Sequence, residues 1–319
     1  MTKTLAFTRL TRLVRETLAF PHPERAVLRW AAFAAARPFS DSLSTTIDGI
    51  RYFVSTRDQS VGRVVFMGRV PDGDLLGDYL SLIESELGRP AVKGTTFLEI
   101  GANIGTTTLP VALQHDARLC IALEPAPGNL DLLRANLAAN GVAPDRVRVL
   151  PVAASDRPGT VEFELSSSNS GDNRVRSQNK DGDKHAAGGP ELYGEAQRPV
   201  ITVPTVRVDD VLAEQDVDPG DVGLVWIDTQ GHEGQVLAGA PRLLASAAPV
   251  IMEYWPYGLR RAEGLELLHG LIRDSGRRVV DLRETLRDGT VRALSQAELD
   301  TLPERYPDRQ YTDLALLPA

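Results

Sequence analysis

Phe97-Leu98-Glu99-Ile100-Gly101-Ala102-Asn103-Ile104-Gly105-Thr106 decides how the rest of this 319-residue chain is read. A short apolar run, a glycine-bounded loop and a second apolar stretch make a strand, a tight turn and a helix. Gly101 and Gly105 permit positive φ and close backbone approach, and the helix start behind them offers N–H groups. A nucleotide-like ligand suits such a turn. A dinucleotide fingerprint needs glycines at 101, 103 and 106, and Asn103 and Thr106 occupy two of those places. The missing glycines would make room for pyrophosphate and for close helix packing, so an NAD-dependent oxidoreductase is disfavoured. Glu99, just before the first glycine, would repel a pyrophosphate and welcome a cation.

Outward from this turn, apolar runs alternate with helical segments. Strands are expected at 97–100, 118–123, 147–152, 224–227, 249–254 and 278–282, with a last one at 313–317. Helices fit at 104–114, 128–139, 233–245 and 259–275. This pattern predicts an α/β fold, a Rossmann-like doubly wound and mostly parallel sheet, with ligands at the carboxyl ends of the strands. Glu124 and Pro125 follow the second strand, where a carboxylate can accept both hydrogen bonds of a ribose diol. Asp156 follows the third, where it can accept from an adenine amino group. S-adenosylmethionine, cationic and free of phosphate, fits acids at these three strand ends.

Before residue 91 the chain reads as an extension. Residues 1–36 suggest one or two helices interrupted near Pro21 and Pro23, Thr45–Ser55 a hairpin around Asp48-Gly49, and 74–87 a further helix. The expected division is an N-terminal extension over 1–90 and a cofactor-binding domain over 91–319. Within the latter, the polar segment 166–199 looks too hydrophilic for core and reads as either a lid or a disordered insertion.

Composition narrows the class. Hydrophobic residues make up 42% and charged residues 24%, which suits a globular chain. The net charge of −8 argues against a nucleic-acid-binding protein, although residues 1–40 carry +5 of their own. That basic stretch is expected to pack on the main domain or to support a homo-oligomer. No run is long enough for a transmembrane segment, and no secretory signal is evident. Cys120 is the single cysteine, which suits a buried position and a cytoplasmic location.

The residues resemble the FkbM-type S-adenosylmethionine-dependent methyltransferases. The resemblance rests on Leu98 to Gly105, Leu123 to Asn129, Ala153 to Asp156 with Gly159, Val203 to Asp209, Ile227 to Glu233, Val236 to Ala240, and Glu253. It implies methyl transfer to a hydroxyl of a small metabolite such as a sugar, polyketide or other natural product. Glu99, Gly101, Asn103 and Gly105 would line the methionine part of the cofactor, Glu124 with Pro125 the ribose, and Asp156 the adenine. Asp228 is placed to act as base and His232, four residues on, to meet the same substrate. Gln230, Glu253, Tyr254 and Trp255 are expected to contact the acceptor. Members of the family often carry an acid where Gln230 stands, and that departure keeps open a catalytically silent S-adenosylmethionine-binding partner or regulator. No dense ligand cluster points to a metal, and Val236 excludes an H-E-x-x-H zinc motif.

Overall fold

The computed structural model describes residues 23–71, 73–176, 192–307 and 309–318. The expectations for residues 1–22, and for the middle of the polar segment at 177–191, lie outside the described residues.

Two strands, β1 (Ser42–Ile47) and β2 (Ile50–Ser55), form the expected hairpin. Its two-residue turn puts Asp48 at φ 50° and Gly49 at φ 83°, the paired positive values that match the right-handed twist of a tight hairpin. The outer edge of β2 docks on the helix Pro127–Ala139 and the residue that ends it. Asn136 accepts from the Phe53 N–H at 2.5 Å and donates to the Phe53 carbonyl at 3.2 Å. Asn140 does the same for Arg51, at 2.8 and 2.7 Å.

The main sheet contains β3 (Thr96–Ile100), β4 (Leu119–Leu123), β5 (Val147–Leu150), β10 (Val222–Ile227), β11 (Val250–Tyr254), β12 (Arg278–Asp281) and β13 (Thr312–Leu317). Their spatial order is β12-β13-β11-β10-β3-β4-β5. All neighbours run parallel except β13, which is antiparallel to both strands beside it. The fold is the Rossmann-like, doubly wound α/β architecture that the alternating pattern predicts. Every residue of β3, β4 and β10 is buried, as strands covered on both faces must be. Alternate residues divide between two cores. Phe97, Cys120, Leu224 and Trp226 face one apolar cluster together with Phe33, Tyr52 and Tyr79 from the N-terminal part. Leu98, Ile121, Val225 and Met252 face the other.

A second sheet, ordered β6-β9-β7-β8, was not foreseen. It comprises β6 (Ala153–Ala154), β7 (Gly159–Glu164), β8 (Arg174–Val175) and β9 (Val200–Val206). It lies between β5 and β10 in the chain, with the polar segment between β7 and β9. Two expected helices are also divided. The first splits into Glu233–Ala238 and Pro241–Leu244, because Pro241 cannot continue a helix and starts a new one. The second splits into Pro256–Arg261 and Leu265–Ser275 around Glu263, whose φ is 56°.

The chain crosses from one wing of the sheet to the other between β3 and β10, where strand order reverses and a crevice opens at the carboxyl ends. Gly101 and Asp228 face each other across it: the Asp228 N–H donates to the Ile100 carbonyl at 2.9 Å.

Candidate functional site

The turn after β3 is built on positive φ at three positions, Gly101 (93°), Asn103 (50°) and Gly105 (90°). A Cβ at Gly101 would run into the Asp228 carbonyl, so close approach of the two strand ends requires glycine here. Gly105 serves helix packing, since a Cβ there would meet Leu133 at 2.7 Å. The turn is tied to the end of β4 by the Leu123 carbonyl, which accepts from Gly101 and Ala102 at 2.9 and 3.0 Å.

Glu124 completes this junction. One carboxylate oxygen accepts from the Asn103 N–H and the other from the Ala126 N–H, both at 2.8 Å. Burial pushes its carboxyl up to about 7, against the lowering effect of those N–H donors and of Asn129. Glu99 is 3% exposed and accepts from the Thr108 hydroxyl. Its carboxyl is pushed up to about 8, chiefly by burial. Thr108 and Thr107 oppose that rise, while the nearby Asp228 and Glu124 add to it. Three carboxyl groups thus converge on one glycine turn, where a cation would offset the repulsion that Asp228 and Glu124 exert on Glu99 and favour its ionised form.

Two cavities meet at this point. The first lies against Glu124, Pro125 and the strand pair Ala153–Ala154, with Phe163 and Val175 of the second sheet as an apolar wall. Among the described residues, no Lys or Arg lines it. The second, about 280 Å³, lies over Glu99, Glu253 and Trp255. Gly101, Asn103, Gly171, Asp228 and Gln230 border both.

The turn after β10 places Asp228 and Gln230 at that border. Gln230 has φ 57° and Gly231 φ 110°, and a Cβ on Gly231 would collide with the Gly258 backbone. Glu233, which the sequence reading did not single out, braces the turn by accepting from the Thr229 N–H and hydroxyl at 3.0 Å each and from the Gly231 N–H at 3.2 Å. The Gln230 amide reaches back and donates to Asp228 Oδ1 at 2.7 Å and to Glu253 Oε2 at 2.8 Å.

Not every expected residue faces these cavities. His232 borders only the first, with Nε2 3.0 Å from the Ser155 hydroxyl. Burial lowers its pKa to about 4, opposed by Asp156, so the ring is neutral at physiological pH. Asp156 lies outside both linings and accepts from Ser155 Oγ at 3.2 Å. The expectation for Tyr254 is corrected: it is fully buried on the opposite face of β11, its hydroxyl 2.8 Å from His269 Nε2. Successive strand residues point to opposite sides, so Glu253 and Trp255 reach the second cavity and Tyr254 cannot. Among the described residues, no cluster of three or more His, Cys, Asp or Glu is placed to hold a metal ion.

The polar segment contributes more than its composition suggests. Ser170 donates to Asp58 at 2.5 Å, which links the segment to the N-terminal part. Asp172, Arg174 and Glu195 are buried, contrary to the expectation that the segment adds nothing to the interior. Arg174 donates to Glu195 at 3.1 Å and lies 3.4 Å from Asp172 and 3.8 Å from Glu164. Arg198 binds the Asp172 carboxylate, and the Tyr257 hydroxyl donates to Glu195 at 2.6 Å. The Arg174 guanidinium also lies over the rings of Trp255 (5.2 Å) and Tyr193 (5.5 Å), which meet edge to face in the second cavity. Tyr193, Arg309 and Tyr311 border that cavity without having been expected there.

The chain is similar to several known proteins. The 2-O-methyltransferase NoeI of Sinorhizobium fredii is 28% identical over 171 residues, 49% of this chain and 62% of that protein. The chain therefore spans less than two thirds of that curated relative. Among solved structures, the methyltransferase FkbM of Methylobacillus flagellatus KT is 16% identical with a TM-score of 0.41, covering 70% of this chain and 43% of that one. An O-methyltransferase from Bacillus cereus in complex with SAH is 12% identical with a TM-score of 0.40, covering 94% and 93%. A family model described as the methyltransferase FkbM domain matches residues 99–276, from the acid before the glycine turn to the glycine that ends the helix Leu265–Ser275. With more than half its length matched, the chain belongs to the FkbM methyltransferase domain family.

Proposed function

We propose that the protein is an S-adenosylmethionine-dependent methyltransferase acting on a hydroxyl group of a small metabolite. The observation that carries this reading is the pair of cavities sharing Gly101, Asn103, Asp228 and Gln230 at the strand-order reversal. The first cavity would hold the cofactor and the second the acceptor. Carboxylates with no Lys or Arg among the described residues of the first lining suit a ligand that is cationic and lacks phosphate, and they oppose a dinucleotide. Glu124 is held by two backbone N–H groups where it can receive the ribose diol. Glu99 lines the second cavity and not the first, so the cationic end of the cofactor would meet it where the two cavities join.

When bound, S-adenosylmethionine supplies a methyl group activated by positive sulfur. Asp228, at the border of both cavities, takes the proton from the acceptor hydroxyl, a role typically worth ~10²–10⁴-fold. His232 is kept from that role by its contact with Ser155 and its absence from the acceptor cavity. Trp255 and Tyr193, meeting edge to face, form an aromatic corner that helps align the acceptor. Alignment is the larger contribution, up to ~7–11 kcal/mol in well-oriented systems.

The test has two stages. Calorimetric titration with S-adenosylhomocysteine and, in parallel, NADH is expected to show binding of the first alone. Mass spectrometry of a panel of hydroxylated metabolites, incubated with S-adenosylmethionine, is then expected to show the gain of one CH₂ on some of them. NADH binding without S-adenosylhomocysteine binding would overturn the cofactor assignment, and methylation on nitrogen or carbon alone would overturn the acceptor class.

A further inference from the structure

The ends of β10 and β11 bring two carboxylates to neighbouring positions. Ile227 pairs with Met252 in the parallel register, so Asp228 and Glu253 are the next residues on each strand. Like charges on adjacent strand positions repel, and this pair points into one cavity. Gln230 bridges the two with one amide nitrogen, which has two hydrogens and donates to both carboxylates. Its backbone pays for that reach with positive φ, which side chains other than glycine rarely adopt.

We infer that Gln230 is a positioning residue whose carboxamide does here what a bridging divalent cation can do for two carboxylates, fixing Asp228 and Glu253 in one geometry on the acceptor side. The inference rests on the proposed reading of the second cavity as the acceptor site. Its chemical core is independent of that reading: two convergent carboxylate oxygens lie at hydrogen-bonding distance from a single central atom. A carboxylate at position 230 would add a third oxygen donor to the set, and hard divalent cations prefer such ligands. The substitution Gln230→Glu therefore creates a cation site from residues already in place.

The experiment uses the whole chain and Mn²⁺ alone as the probe. Wild type, Gln230→Glu and Gln230→Leu are titrated with Mn²⁺ by calorimetry and electron paramagnetic resonance, and thermal unfolding is followed with and without the metal. Gln230→Glu is expected to bind one Mn²⁺ per chain at least ten-fold more tightly than wild type and to unfold at a higher temperature in its presence. If Gln230→Glu is poorly folded alone, recovery of its cooperative transition on adding Mn²⁺ reads the same property. Gln230→Leu is expected to bind no Mn²⁺ and, once an acceptor is found, to lose kcat ten-fold or more with the cofactor KM within three-fold. Equal Mn²⁺ binding by wild type and Gln230→Glu, or unchanged kcat in a folded Gln230→Leu, would overturn the inference. Failure of wild type to bind S-adenosylhomocysteine would overturn the functional reading instead, leaving the Mn²⁺ result to judge the bridge separately.

Discussion

Glu99→Gln tests the cluster of acids at its most buried member. The Glu99 carboxyl keeps its proton in the folded chain up to about pH 8, against an ordinary value of 4.5. Folding therefore takes up a proton between those limits. The stability contributed by the protonated group is complete below pH 4.5 and is lost as pH rises toward 8. At about 1.4 kcal/mol per pKa step, ionising Glu99 inside the fold costs about 5 kcal/mol, of which roughly 3–4 falls between pH 5 and 8. Glutamine has the same shape and does not titrate, and the Thr108 hydroxyl can rotate to accept from it. Urea unfolding free energies at pH 5, 6.5 and 8, without cofactor, are expected to fall more steeply for wild type than for Glu99→Gln by about 3 kcal/mol across the range. Part of the fall remains in the variant, because Glu124 also titrates above its ordinary range, at about 7. Parallel curves for the two proteins would refute the argument that burial, rather than a compensating donor, governs this carboxyl.

Other substitutions read different parts of the site. Gly101→Ala places a methyl group against the Asp228 carbonyl at φ 93°, so thermal unfolding should drop by several degrees and S-adenosylhomocysteine binding should be lost in calorimetry. Asp228→Asn should keep S-adenosylhomocysteine affinity within about three-fold while turnover falls ~10²–10⁴-fold, measured in single-turnover assays on an identified acceptor. Arg174→Met leaves Glu164, Asp172 and Glu195 buried beside an apolar chain. Breaking a buried ionic group in this way costs ~3–5 kcal/mol, to be read from urea denaturation.

Sequence reading located the strand ends because β3, β4 and β10 are covered on both faces and must be continuously apolar. Glu124 and Asp228 were legible for the same reason, each sitting where an apolar run stops, while Glu99 stands out as a charge inside such a run, two places before Gly101. Asp156 stands in a similar place in the sequence, yet it follows the short β6 of the second sheet and lies outside both cavity linings. That second sheet was missed because β6 and β8 are two residues each and β7 and β9 are partly exposed, where Val161, Phe163, Ile201 and Val203 give only brief alternation. The buried charges of Arg174 and its partners carry no apolar signal at all. Arg309 and Tyr311 border the second cavity only because β13 runs antiparallel beside β11, a pairing no local pattern reveals.

The two asparagines that meet β2 have a consequence for assembly as well as for packing. A hairpin strand has one edge paired within the hairpin, while the other presents N–H and C=O groups that can recruit a strand from another molecule. Asn136 and Asn140, one helical turn apart, answer both backbone groups of Phe53 and of Arg51. The helix thus imitates a neighbouring strand with side-chain amides and closes this edge to intermolecular sheet growth. It also fixes registration: sliding β2 by one residue would turn the matched groups away from the asparagines and forfeit all four hydrogen bonds together.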